Sequence, residues 1–173
     1  KNIIILLRDL GCCFDCASIQ EIEHCLSLKV DPKKISYGNT IKKEEDIFSA
    51  HKMGVKLFAF DSLPELIKIS NNAPNSRVFC RIQVSNTGSE WPLSKKFGCS
   101  PEEAEKLLFK AASLKTIPVG LSFHVGSQQK CFNAWKKAIA KTASIYKKVK
   151  SKNLELDFLN IGGGFPSTYK SKT

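Results

Sequence analysis

Two short motifs carry the residue types best suited to chemistry. Phe123-His124-Val125-Gly126-Ser127 closes an apolar run that begins at Val119, and Gly162-Gly163-Gly164-Phe165-Pro166 closes Phe158-Leu159-Asn160-Ile161. The first offers an imidazole and a hydroxyl. The second offers three consecutive backbone amides with no side chain in the way, and such amides can close around an anion. A plain turn rarely needs three glycines, because each costs several tenths to about 1 kcal/mol in lost order. A phosphate-bearing ligand with a flat ring would suit the pair.

The motifs need elements that bring them together. A long amphipathic pattern at 131–152 separates them, so the order is strand, helix, strand, a right-handed unit that sets both motifs at the carboxyl ends of neighbouring parallel strands. That is the edge where such sheets bind ligands. The rest of the chain alternates in the same way. Strands are expected at 12–17, 35–39, 55–60, 77–84, 119–125 and 157–161, and helices at 2–10, 19–29, 42–53, 62–69, 100–114 and 131–152. Ser62-Leu63-Pro64-Glu65 and Ser100-Pro101-Glu102-Glu103 read as capping boxes. A run of βα units predicts an α/β fold with a parallel sheet. No G-x-G-x-x-G turn opens it, which argues against a doubly wound dinucleotide fold. Six units are two short of a (β/α)8 TIM-type barrel, which typically needs about 250 residues, so the expectation is a partial barrel in one incomplete domain, 1–173.

Parallel strands collect their C-terminal ends on one face. These ends would deliver Asp15 with Glu21 one helical turn on, Tyr37-Gly38-Asn39, Asp61, Arg81, His124 to Ser127, and Gly162 to Gly164. Arg81 lies inside Val78-Phe79-Cys80-Arg81-Ile82, and a charge within a strand needs a partner. Asp15 and Glu21 are the natural ones. The trio is either a structural ion network or a device that orients a polar ligand group such as a phenolate oxygen.

Composition narrows the class. Hydrophobic residues make up 42% and charged residues 25%, as in a globular chain, and no apolar run approaches the roughly 18–20 residues of a membrane span. The formal charge of +11 raises a nucleic-acid reading. The densest lysines, however, share the 131–152 helix, opposite apolar positions Trp135, Ile139, Ala143, Tyr146 and Val149, so a solvated outer face explains them and no nucleic-acid partner is expected. Seven cysteines are an odd count and make no disulfide framework. Cys13 and Cys16 have C-x-x-C spacing, but residues three apart on a strand face opposite ways, and no second pair completes a metal site. Reduced cysteines in a cytoplasmic protein are the expectation.

Together these residues resemble the group IV, fold type III pyridoxal-phosphate (PLP) decarboxylases of the alanine-racemase-like barrel type, most of all the bacterial ornithine/lysine decarboxylases. The stretches that carry the resemblance, in family order, are Phe14-Asp15-Cys16-Ala17-Ser18 with Glu21, Tyr37-Gly38-Asn39, Phe60-Asp61-Ser62, Arg81-Ile82, Glu90-Trp91-Pro92-Leu93-Ser94-Lys95-Lys96-Phe97-Gly98, Phe123 to Gln128, and Ile161 to Pro166. The resemblance implies strands 2–7 of the family barrel, with the first and last strands and the C-terminal β domain outside the chain. It implies that His124 stacks on the cofactor ring, that Ser127 and the Gly162, Gly163 and Gly164 amides hold the phosphate, that Arg81 contacts the ring hydroxyl with Asp15 and Glu21 nearby, and that Lys96 lies near a homodimer interface. It further implies decarboxylation of L-ornithine or L-lysine to a diamine, in polyamine biosynthesis. The family lysine that binds the cofactor covalently would lie about five residues before Lys1, so these 173 residues alone are expected to be inactive. A non-catalytic homologue acting as a binding protein and a diaminopimelate decarboxylase are the alternatives.

Overall fold

The structure, a computed structural model, describes residues 2–91 and 96–168. In chain order its elements are α1 (Asn2–Asp9), β1 (Phe14–Cys16), α2 (Ile19–Ser27), a 3-10 turn (Pro32–Lys34), β2 (Ile35–Tyr37), α3 (Glu44–Lys52), β3 (Leu57–Phe60), α4 (Leu63–Asn72), β4 (Ser76–Arg81), β5 (Ser89–Trp91), α5 (Pro101–Ser113), β6 (Thr116–Ser122), β7 (Ser127–Gln129), α6 (Asn133–Lys150) and β8 (Phe158–Asn160). Six strands form one parallel sheet in the order β1-β2-β3-β4-β6-β8, each following a helix, which is the expected partial βα barrel of six units.

The two faces of the sheet read the strand alternation directly. Phe58, Phe60, Val78, Cys80, Leu121 and Phe123 point outward into the main core, where Ile22, Ile47, Leu66, Ile69, Leu108 and Ile145 of the helices meet them. Ala59, Phe79 and Val119, with Leu57 and Phe158, form a smaller inner cluster inside the curve of the sheet. Ring contact between Phe79 and Phe158, centroids 5.0 Å apart, joins β4 to β8 across that interior.

The structure differs from the sequence expectation in four places. First, β5 and β7 make a separate antiparallel pair, Ser89 opposite Gln129 and Trp91 opposite Ser127. Ser89-Glu90-Trp91 and Ser127-Gln128-Gln129 are short and mostly polar, so no apolar run marks them. Second, β6 ends at Ser122, so His124 sits in the following loop rather than in the strand. Third, α6 buries Trp135, Ala138, Thr142, Ile145 and Val149, and leaves Ile139 44% exposed. Thr142 can go inside because its hydroxyl donates to the Ala138 and Ile139 carbonyls. Fourth, the Ser62 capping box does not form: Ser62 makes no side-chain cap bond, and Glu65 turns inward to pair with Lys42 at 2.8 Å and Lys68 at 2.6 Å. Lys42 is sealed from water and would otherwise be an unpaired buried charge. The box at Ser100 does cap its helix, with Glu103 N–H donating to Ser100 Oγ at 3.1 Å.

Candidate functional site

At the carboxyl edge of the sheet, β6 runs out into the His124 loop and β8 into the glycine turn, and the two loops pack together. A Cβ on Gly162 would stand 2.2 Å from the Phe123 carbonyl oxygen, and one on Gly164 would stand 2.1 Å from that of Gly126. One on Gly163 would lie 3.3 Å from His124 Nε2. Gly162 and Gly164 also have φ of +68° and +97°, which side chains resist. Close packing on the His124 loop therefore requires glycine at 162 and 164, while Gly163 meets only the far end of the His124 ring.

The amides of that turn are not equivalent. Gly162 N–H donates to Asn160 Oδ1 at 2.8 Å, so it is committed within the turn. No hydrogen bond among the described residues uses the Gly163 or Gly164 N–H. Two of the three expected amides thus stand ready for an anion. Two glutamines fix the arrangement: Gln128, to which the sequence reading assigns no role, and Gln129, which it does not mark. Gln129, 1% exposed, receives Cys131 N–H and donates to the Val125 and Thr87 carbonyls, while its backbone N–H holds the Gly164 carbonyl at 2.8 Å. Gln128 clamps Ser167 through both of its amide atoms, at 2.9 and 2.8 Å. Their contacts join segments about forty residues apart, which no local pattern reveals. Ser127, exposed, opens β7 beside this turn.

His124 is half-buried, and its Nδ1 accepts from Gly126 N–H at 3.0 Å. A neutral imidazole that accepts at Nδ1 carries its proton on Nε2, the atom facing Gly163. Burial, and then the nearby Arg81 cation, push its pKa below the usual value, so the ring is neutral at pH 7.

Arg81 ends β4 and lays its guanidinium over the Phe97 ring, 4.8 Å from the centroid. Burial lowers its pKa, and the carboxylates that oppose this are Asp61 first and Asp15 second. The expected partner Glu21 has another task. Its carboxylate accepts Ala17 N–H at 2.6 Å while Ser18 Oγ accepts Glu21 N–H at 3.3 Å, so Ser18 caps α2 and Glu21 reaches back to the residue before the cap, a variant of the capping box. The S-x-x-E spacing was there to be read. Asp61, directly after β3, also accepts Gly98 N–H at 2.8 Å and so fixes the turn beneath Arg81.

Asp15 sits on the inner side of β1, where Ser36 Oγ donates to it at 2.6 Å and Asn160 Nδ2 at 3.0 Å. Gly38 admits it: a Cβ there would lie 2.1 Å from Asp15 Oδ1. Asn160 thus links Asp15 on β1 to the glycine turn after β8. Lys96 is exposed, its Nζ 5.0 Å from the centre of the Phe97 ring, while Pro92 to Lys95 lie outside the described residues. Cys13, which precedes β1, is exposed and Cys16 is buried, and no metal-holding cluster occurs among the described residues.

The edge therefore gathers one neutral imidazole, one guanidinium, one hydroxyl and two open amides, a donor set that fits a phosphorylated, phenol-bearing ring. The family model described as pyridoxal-dependent decarboxylase, pyridoxal binding domain, matches residues 1–173. The chain belongs to this pyridoxal-dependent decarboxylase family. Over 164 residues it is 39% identical to ornithine decarboxylase of Schizosaccharomyces pombe, covering 95% of this chain and 38% of that protein. It is 37% identical over 172 residues to antizyme inhibitor 2 of Xenopus laevis, covering 99% of this chain and 38% of that protein. Lysine decarboxylase from Selenomonas ruminantium superposes with a TM-score of 0.90 at 34% identity, covering 96% of this chain and 44% of that one. The chain thus spans about two fifths of the length of these relatives. As a pyridoxal-dependent decarboxylase domain it has PLP as its family cofactor, and the donor set at the strand edge fits PLP's ring, phenolic oxygen and phosphate.

Proposed function

We propose that the full-length protein carrying this chain is a PLP-dependent decarboxylase of a basic amino acid, L-ornithine or L-lysine, releasing CO2 and a diamine for polyamine synthesis. The observation that carries the reading is the junction of the His124 loop with the glycine turn, where open amides, a hydroxyl and a neutral ring face the same edge as Arg81. When bound, PLP supplies an electron sink for the pair left behind as CO2 departs. The chain's own residues bind and orient. Gly163 and Gly164 N–H and the Ser127 hydroxyl hold the phosphate; Gly162, its amide already committed to Asn160, shapes the turn. His124, neutral, stacks on the ring face without placing a competing positive charge there. Arg81 donates to the phenolic oxygen and is kept in place by Asp61 and Asp15. Glu21 supports the Asp15 strand end by reaching back to Ala17 N–H. Lys96, exposed, is assigned to a homodimer interface. The free state of all seven cysteines supports a cytoplasmic protein.

The match to antizyme inhibitor 2 supports a second reading, a protein of this fold that binds a partner and does not decarboxylate. One experiment separates the two. Full-length protein is loaded with PLP and given L-ornithine, L-lysine, L-arginine or meso-diaminopimelate in turn, with CO2 release and cofactor fluorescence recorded. CO2 from ornithine or lysine at the highest kcat/KM supports the proposal. CO2 only from another substrate overturns the assignment to ornithine or lysine, and bound PLP without any CO2 favours the partner-binding reading.

A further inference from the structure

Cysteine placement singles out one pair. Cys80, on the outer side of β4, is fully buried, and Cys99, on the turn before α5, is partly exposed; their sulfurs are 3.5 Å apart and both are free thiols. Cys16 and Cys25 are farther apart, at 3.9 Å, and both are nearly buried. Only the Cys80–Cys99 pair combines close contact with one member that a small solute can reach.

That pair also lies beside Arg81. Cys99 N–H donates to the Arg81 carbonyl at 3.1 Å, its thiol leans on the same oxygen at 3.5 Å, and its own carbonyl takes Gln83 N–H at 2.8 Å. Two residues before Cys99, the Phe97 ring supports the Arg81 guanidinium, and Gly98 N–H ties the turn to Asp61. The 97–99 turn therefore holds Arg81 by its backbone, by its side chain and through Asp61, the carboxylate that acts on it most.

We propose that Cys80 and Cys99 form a reversible oxidation site, at which a peroxide converts the two thiols to a disulfide and shifts the turn that positions Arg81. The exposed partner reacts first: Cys99 sulfur attacks the terminal peroxide oxygen, an S–O bond forms as the O–O bond breaks, and the other oxygen leaves with the Cys99 proton as water or an alcohol, giving a sulfenic acid. Cys80 sulfur then attacks Cys99 sulfur, the S–S bond forms, and the hydroxyl leaves with the Cys80 proton as a second water. The two thiols lose two electrons in all and the peroxide gains them. Burial, and then the Cys99 neighbour, hold the Cys80 thiol well above its ordinary pKa, so peroxide meets the more exposed Cys99 first. A disulfide needs sulfurs about 2 Å apart, so closing the 3.5 Å gap draws Cys99 toward β4 and strains the contacts it makes with Arg81. The consequence for cofactor binding rests on the Arg81 role proposed above; the disulfide itself does not.

Full-length protein is treated with equimolar hydrogen peroxide, its remaining thiols are alkylated, and peptides are mapped without reduction. The expected product is one crosslinked pair containing Cys80 and Cys99, reversed by dithiothreitol and absent from a Cys99→Ser variant. Alkylatable Cys80 beside a Cys99 oxidised to sulfinic acid, or Cys99 crosslinked elsewhere, would overturn the site. In parallel, PLP affinity is expected to fall at least about fivefold on oxidation and to survive peroxide in Cys99→Ser. A mapped disulfide with unchanged PLP affinity would overturn the link to Arg81. If the reduced protein binds no PLP, the functional reading has failed, and the peptide map still decides the oxidation site.

Discussion

His124 shows how much a single residue's setting decides. Its type and its neighbours Gly126 and Ser127 marked it as chemistry-bearing, but its protonation follows from burial and Arg81. Its folded pKa is lowered, so it stays neutral as pH falls below the ordinary value of 6.5, and the unfolded chain takes up the proton first. In an NMR titration of the His124 ring, the midpoint is expected below 6.5. Arg81→Met is expected to raise it only part of the way back, because burial is the larger cause; a wild-type midpoint above 6.5 contradicts this. The neighbouring glycines separate in the same way. Gly164→Ala meets both a positive φ and a backbone oxygen 2.1 Å from its Cβ, so it is expected to cost more than about 1 kcal/mol in urea unfolding. Gly163→Ala meets a side-chain nitrogen at 3.3 Å, and is expected to change stability by under about 1 kcal/mol while weakening PLP binding. At this scale the sequence identified reactive groups well, because imidazole, guanidinium and hydroxyl declare themselves. It did not reveal commitments: that Glu21 reaches back to Ala17 N–H, or that the Gly162 amide is already taken by Asn160, depends on where a side chain turns.

Whole elements were the most legible part, since six βα alternations are written in long apolar runs and in caps such as Ser100. The departures have physical causes: β5 and β7 are short, mostly polar segments, and the Ser62 box was outcompeted by a buried cation. That cation, Lys42, binds α4 to the sheet edge through Glu65 and through the Asn39 and Ala59 carbonyls, at 2.8 and 2.6 Å. Burial lowers its pKa from 10.5 to about 8, opposed by Glu65. Between those values the unfolded chain holds a proton that the folded chain has released, so raising pH shifts the balance toward the folded state. Compared with Lys42→Met, the wild type should therefore gain relative stability from about pH 8 to about pH 10.5, by at most about 3 kcal/mol. The difference cancels the opposite trend from Tyr37 and Cys16, whose burial raises both to about 12. A difference that shrinks with pH would refute the assignment. Glu65→Gln strands the buried cation and is expected to destabilise by about 3–5 kcal/mol in the same assay.

Across the whole molecule, the site depends on a curve that brings the first and last strands of the sheet toward each other. Among the described residues β1 and β8 each have one hydrogen-bonded neighbour strand, and no backbone ladder joins them. Asn160 provides a side-chain link instead, donating to Asp15 and accepting from Gly162 N–H. Sequence periodicity could place Asn160 on a strand but not opposite Asp15, 145 residues away, because that contact exists only once the sheet has curved. Asn160→Ala removes both bonds while Asp15 keeps the one from Ser36 Oγ, so the fold should persist and the cofactor edge should loosen. Two lost bonds, one of them to a carboxylate, predict a PLP dissociation constant roughly tenfold higher or more in the full-length protein, with little change in far-UV circular dichroism. Asn160→Asp discriminates the two bonds. It keeps an acceptor for Gly162 N–H but sets a second carboxylate against Asp15, so its loss of affinity should shrink as the buffer is made more acid and the pair can share a proton. Wild-type affinity in Asn160→Ala would mean that the curved sheet holds its cofactor edge without this link.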